Sequence, residues 1–228
     1  MPQVIAKDAS DKLNAPQIVA DIPVSQRSSY LFLKRTFDIM GALLGIIFLS
    51  LVFFIVGVII KLEDPKGPIF FSQKRIGKNG QEFHMYKFRS MVTDAEERLQ
   101  ELLKLNETTG AMFKMKNDPR VTKIGRFIRK TSIDELPQLW NVLKGDMTLV
   151  GPRPPLQREV AEYTGYQLQR LLVTPGCTGL WQVSGRSNIG FEEMVELDLS
   201  YIQSRTFFMD IKIIFKTVTM VFGSKGAY

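Results

Sequence analysis

"IMGALLGIIFLSLVFFIVGVII", residues 39–60, carries no charged side chain over 22 positions. As one helix it would be roughly 33 Å long at about 1.5 Å per residue, against a bilayer hydrocarbon core of about 30 Å. A soluble fold rarely buries so uniform an apolar helix, so the stretch reads as membrane-inserted. Cations flank it on both sides: Arg27, Lys34 and Arg35 before it, Lys61, Lys66, Lys74 and Arg75 after it. The positive-inside rule therefore has no asymmetry to act on. A helix that enters, bends and leaves on the same side satisfies both flanks; a full span is the alternative. Gly41, Gly45, Ser50 and Gly57 are the bending points on offer.

Working outward, residues 1–30 are polar, with Pro2, Pro16 and Pro23 and the acids Asp8, Asp11 and Asp21, and do not read as a signal peptide. The expected organisation is a flexible tail over 1–30, a membrane-inserted helix over 31–62, and a cytoplasmic catalytic domain over 63–228. In "GPIFFSQKRIGKNGQEFHMYKF" (67–88) two apolar and aromatic runs flank Asn79-Gly80, which predicts a β-hairpin. "TDAEERLQELLKL" (93–105) opens with a Thr93–Glu96 capping box and continues with leucines on one side of a helix. "FFMDIKIIFKTVTMVF" (207–222) has a thin stripe of Lys212, Lys216 and Thr219 on a wide apolar helix. That pattern suits the plane of a membrane surface; docking on the soluble core is the competing reading. The fold class that results is α+β and mostly helical: one re-entrant membrane helix, a hairpin, and a compact domain with amphipathic interfacial helices.

A hydrophobic content of 45% is enough for a real core. The formal charge of +7 favours anionic partners, whether nucleic acid, phosphate-bearing substrates or anionic lipid. The single cysteine, Cys177, excludes an intramolecular disulfide and a Cys-rich metal site, and reads as a packing residue. The single histidine, His84, excludes a His-based triad of conventional form and reads as structural or exposed. No Walker A loop, HExxH or Gly-x-Gly-x-x-Gly is present, so nucleoside triphosphate hydrolysis, zinc proteolysis and dinucleotide binding lose support.

The chemistry centres on "TSIDELPQLW" (131–140), where Asp134 and Glu135 stand side by side among cations. Asp134 can cap a helix that contains Pro137 in its first turn, or Ser132 can cap it with Glu135 folding back. "ELPQLWNVLKG" continues the helix and Gly145 ends it. Arg129 lies five residues before Asp134; Arg153 sits between prolines in "GPRPP"; Lys87 and Arg89 end the hairpin; Arg186 follows a Gly-rich loop. Arginine forks match phosphate oxygens, so several on stiff segments predict a polyanion site. Carboxylates in such a setting hold Mg²⁺ or attack phosphorus.

The segments "KRTFDIMGALLGI", "GPIFFSQKRIGKNGQEFHMYKFRSM", "NDPRVTKIGRFIRKTSIDELPQLWNVLKGDMTLVGPRP", "TPGCTGLWQVSGR" and "LDLSYIQSRTFFMDIKIIFKTV" resemble the bacterial sugar transferases of the monotopic phosphoglycosyl transferase family. The resemblance runs from about residue 33 to the C-terminus. It implies transfer of a sugar-1-phosphate from a UDP-sugar to a polyprenyl phosphate at the cytoplasmic face of a bacterial inner membrane, with release of UMP, at the start of exopolysaccharide, capsule or O-antigen assembly. It also implies that Asp134 is the nucleophile and Glu135 its partner, both as candidate Mg²⁺ ligands. Lys87, Arg89, Arg129, Arg153, Gln182 and Arg186 would bind substrate phosphates or line the donor side. The implied partners are the UDP-sugar, the polyprenyl phosphate and the lipid bilayer, with a homodimer left open and no nucleic acid. One departure stands out: the family's membrane helix often has Ser-Pro at its midpoint, and here the pair is Ser50-Leu51. The sugar itself is not readable from any motif. A non-enzymatic module binding anionic lipid or nucleic acid through residues 123–130, and a glycosyltransferase releasing UDP, are the competing functions.

Overall fold

A computed structural model describes residues 22–24, 27–102, 115, 118–185 and 189–222. The apolar run is not one helix but two, α1 (Ser28–Phe48) and α2 (Ser50–Glu63), bent by 59° at Leu49. No single described helix is long and apolar enough to cross a membrane; this bent pair passes by length and composition. The Leu49 N–H still reaches Gly45 O at 2.9 Å and the Phe53 N–H reaches Leu49 O at 2.9 Å. No proline is needed for the bend, and among the described residues the Ser50 hydroxyl makes no bond that would cause it. Contacts outside the pair fix it instead: Leu139 lies against Gly45, and Ile69 lies against Gly57.

The first half of α1 belongs to the globular part. Lys34 Nζ donates to Asp210 Oδ2 and to Val150 O, both at 2.8 Å. Asp38 accepts from Thr148 Oγ1 at 2.6 Å and from the Leu149 N–H at 2.9 Å. The Arg35 guanidinium donates to Val142 O and Leu143 O, satisfying carbonyls at the end of a later helix. Beyond Asp38 one side of the pair stays packed, with Ala42, Val56 and Ile60 buried, while the other faces outward: Phe48, Leu51, Phe54 and Leu62 are each more than 65% exposed. Each such side chain forgoes about 1.5–3 kcal/mol of burial in water, so this surface calls for apolar surroundings.

The hairpin forms as expected, β1 (Phe70–Ile76) against antiparallel β2 (Glu82–Phe88), with Phe70 opposite Phe88 and Ile76 opposite Glu82. Asn79 (φ 57°) and Gly80 (φ 77°) both take the left-handed conformation that a tight primed turn demands. Then come α3 (Ala95–Leu102), α4 (Lys123–Lys130), α5 (Gln138–Lys144) and β3 (Thr148–Val150). The Thr93–Glu96 box and the leucine side of residues 99–105 fall largely on side chains outside the described ones. Short helices α6 (Gln157–Ala161) and α7 (Gly165–Leu168) lead to β4 (Gly176–Thr178), which pairs parallel with β3; α8 (Phe191–Ser204) and α9 (Phe207–Phe222) complete the described chain.

Three apolar clusters hold these elements. One joins β3, α8 and α9 around Val150, Leu199, Ile202 and Ile213. A second joins α1, β2 and α5 around Ala42, Met85 and Val142, and a third joins α2, β2 and α4 around Val56, Ile60, Phe88 and Ile128. The hairpin thus lies between two clusters, Met85 serving one and Phe88 the other. Asn141 on α5 locks it: its Nδ2 donates to His84 O at 2.7 Å while its Oδ1 accepts the Tyr86 N–H at 3.0 Å. The docking of α9 on the core is observed, and an exposed apolar side is left over. Asp210, Ile213 and Thr217 face the core, whereas Phe208, Ile211, Phe215 and Val218 remain exposed.

Candidate active site

The acid pair is delivered by a short relay. Thr122 caps α4 through Oγ1, which accepts the Gly125 N–H at 3.0 Å. Glu63, at the end of α2, accepts the Lys123 and Ile124 N–H groups at 2.9 and 3.2 Å, tying α4 to the bent pair. After α4, Ser132 turns the chain with φ 57°, and Ile133–Glu135 form a single 3₁₀ turn. Residues three apart eclipse in such a turn. Ile133 and Leu136 therefore point together into the cluster with Phe88 and Ile128, and Asp134 and Glu135 are left to face the other side of β2.

Neither capping arrangement expected from the sequence occurs. Pro137 is the residue flanking α5, and no side chain caps that helix. Glu135 goes to Lys87 instead, Nζ to Oε1 at 2.7 Å, because a charged donor offers a stronger hydrogen bond than a backbone amide. The far end of α5 is as expected: Gly145 closes it in the left-handed conformation at φ 91°.

The two carboxyls differ. Asp134 is only 7% exposed, and burial pushes its carboxyl up to about 6, with Lys87 opposing and the Glu135 charge reinforcing. No other described residue hydrogen-bonds or ion-pairs the Asp134 carboxylate. Burial also pushes Glu135 up, but Lys87, Arg153 and Arg75 outweigh it and hold the carboxyl below its ordinary value. The arrangement is one uncommitted acid beside one acid held ionised by three cations.

Of the cations expected here, Lys87, Arg129 and Arg153 are brought together: Lys87 and Arg129 act on Asp134, Lys87 and Arg153 on Glu135. Arg89 is not among them. Its Nη1 donates to Asp64 Oδ2 at 2.7 Å and its Nη2 to Asp64 O at 3.0 Å, in a half-buried pair that closes the loop after α2. Gln182 lies beside Gly179, whose backbone packs on Gly151 at the start of "GPRPP", and its Oε1 is buried and unpartnered among the described residues. Arg186 lies outside the described residues.

The glycines of "GPRPP" and "TPGCTG" are explained by this packing. The Gly151 N–H reaches Thr178 O and the Gly176 N–H reaches Pro152 O, each at 2.8 Å. A Cβ on Gly176 would collide with Gly151 N, so only glycine allows β3 and β4 to set Arg153 where it is. Cys177, between them, packs with the second cluster, and burial pushes its thiol up, away from reactivity.

Arg75 is the residue the sequence reading passed over as a membrane flank. It is 5% exposed, with Nη1 donating to Pro154 O at 3.0 Å and Nη2 to Gln73 Oε1 at 2.8 Å. The signal was strand parity: in the hairpin register Phe83 faces Arg75 and Lys87 faces Phe71, so Arg75 and Lys87 share one side of the sheet. A fully buried ion pair also went unseen, Arg170 with Asp198 at 2.7 Å, with Arg170 Nη1 also donating to Tyr163.

Among the described residues, no group of three or more His, Cys, Asp and Glu is placed to hold a metal. Mg²⁺ needs fewer, since it commonly takes one or two protein carboxylates and completes its shell with phosphate and water oxygens. An unclaimed Asp134 carboxylate next to an ionised Glu135 fits that donor set.

Comparison with known proteins points to one family. The family model described as bacterial sugar transferase matches residues 29–224. The chain is 51% identical over 200 residues to the galactosyl transferase CpsE of Streptococcus agalactiae, covering 87% of this chain and 44% of that protein. It is 46% identical over 209 residues to the undecaprenyl-phosphate galactose phosphotransferase of Salmonella typhimurium, covering 90% and 43%. It is 37% identical over 226 residues to the exopolysaccharide production protein ExoY of Rhizobium meliloti, covering 97% and 100%. The chain thus spans less than half the length of the first two and the whole of the third.

Proposed function

The chain belongs to the bacterial sugar transferase family, and from that premise we propose that it moves a sugar-1-phosphate from a UDP-sugar to a membrane polyprenyl phosphate and releases UMP. The observation that carries the reading is the uncommitted, buried Asp134 beside a Glu135 ringed by Lys87, Arg153 and Arg75. An acid that no other described residue hydrogen-bonds or ion-pairs, in a setting that attracts phosphate, is suited to act on phosphorus.

In this reading an Asp134 carboxylate oxygen attacks the β-phosphorus of the donor. The bond from that phosphorus to the bridging oxygen breaks, and UMP leaves with the oxygen. A phosphate oxygen of the polyprenyl acceptor then attacks the same phosphorus and returns Asp134 as a free carboxylate, leaving a polyprenyl-diphosphate sugar. Attack of anion on anion requires positive charge at the transition state. Lys87 and Arg129 act on Asp134, and Arg153 lies at the Glu135 side, so the phosphoryl group would be held between them. Lys87 has a second part: it exchanges Glu135 for phosphate when donor enters. Gln182 and Arg186 would line the donor side. Mg²⁺, held by oxygens of Asp134 and Glu135 together with phosphate, would add further positive charge there.

The acceptor's chemistry places the reaction at a bilayer. The bent α1–α2 pair would enter from the cytoplasmic side of a bacterial inner membrane and return to it, with the exposed aromatic face of α9 at the surface. Two relatives carry galactose in their printed names, so UDP-galactose is the first donor to try. Incubation with a panel of UDP-sugars, a polyprenyl phosphate and Mg²⁺ should release UMP. Release of UDP would instead mean transfer of the sugar alone, and no nucleotide release would remove the enzymatic reading.

A further inference from the structure

Arg75 occupies an unusual position for a buried cation. Its Nη groups are spent on a main-chain carbonyl, Pro154 O, and on the neutral amide of Gln73, while its Nε is buried without a partner among the described residues. One residue along, the Ile76 N–H donates to Pro155 O at 3.0 Å. The end of β1 is therefore stitched twice to the prolines that follow Arg153. Burial, and after it the Arg153 charge, lowers the pKa of this guanidinium to about 10, with Glu159 and Glu135 acting in the opposite sense. A fold that needed only to pin Pro154 could have used a neutral donor. Burying a guanidinium at this point costs stability, which makes sense where it fixes the segment that carries Arg153.

We propose that Arg75 is a positioning residue for Arg153: it clamps the Pro154 carbonyl so that the Arg153 guanidinium is presented beside Glu135, where the donor's diphosphate binds. This rests on the phosphotransfer reading above. Arg75 acts through Arg153 and the loop: its side chain is buried, and each Nη is hydrogen-bonded within the hairpin and the proline segment. Removing the fork should therefore matter only while Arg153 is there to be positioned.

The test is a double-mutant cycle on binding of UDP, a non-reacting probe of the diphosphate site, to the full chain in detergent or nanodiscs with Mg²⁺, by calorimetry. Arg75→Lys keeps the charge but loses the fork, and should weaken UDP binding about tenfold; Arg153→Gln should do at least as much. On the Arg153→Gln background, Arg75→Lys should cost less than about twofold. Gln73→Leu removes one anchor of the guanidinium at a partly exposed site, guarding against a misfolded Arg75→Lys. It should give about a threefold loss that also vanishes on that background. Additive losses, or undiminished UDP affinity in Arg75→Lys and Gln73→Leu, would overturn the positioning role while leaving the phosphotransfer reading intact. A wild-type chain that neither binds UDP nor releases UMP would overturn both.

Discussion

Lys87 Nζ lies 2.7 Å from Glu135 Oε1, and the same ammonium lowers the pKa of Asp134, so one cation near the end of β2 governs both acids. Lys87→Met leaves Glu135 without its direct partner and removes the charge that eases ionisation of Asp134. UMP release should fall by about two orders of magnitude or more, the scale of losing one preorganised electrostatic partner. Whatever activity remains should have its pH midpoint moved upward.

The pH profile of the wild type follows from Asp134. Its carboxyl lies at about 6, and only the ionised form is a nucleophile. Turnover should rise with pH through a midpoint near 6 and fall roughly tenfold per unit below it. A rate that stays flat from pH 7 down to pH 5 would argue against Asp134 as the attacking group.

Asp134→Asn should abolish UMP release yet leave the protein folded and somewhat more stable at neutral pH. The sign follows from linkage. The folded carboxyl, raised to about 6 from 3.8, holds its proton more tightly than the unfolded one. Stability therefore falls as pH rises from about 4 to about 6, and above that window the buried carboxylate costs about 1–3 kcal/mol. Asparagine carries no such penalty. Thermal melts at pH 7 should show the variant several degrees above the wild type.

The Arg170–Asp198 pair is the reverse case. Both side chains are buried, and Arg170 also donates to Tyr163. Asp198→Ala leaves an unpaired guanidinium inside the α8 core and should cost about 3–5 kcal/mol in denaturant unfolding. Its activity should track the fraction folded.

The re-entrant path predicts one-sided labelling. In a Cys177→Ala background, single cysteines at Ser28 and Glu63 mark the two ends of the bent pair. An impermeant maleimide should reach both in inverted membrane vesicles and neither in right-side-out vesicles. Labelling of one position from each side would mean a span.

Much of this protein was legible in the linear chain. The uncharged run, the Asn79-Gly80 turn, the Gly145 helix end and the acid pair among cations each follow from local rules: burial cost, backbone conformation, hydrogen-bond chemistry. These need only a few neighbouring residues. The place of the 59° bend at Leu49, the 3₁₀ turn at Ile133–Glu135 that replaced a helix cap, the loss of Arg89 to Asp64 and the recruitment of Arg75 were decided by tertiary structure. The physical reason is common to all four. Several conformations or partners were locally comparable in energy, and the choice among them fell to contacts from elsewhere: Leu139 and Ile69 against the bent pair, Lys87 against Glu135, Asp64 against Arg89, and the Pro154 carbonyl against Arg75.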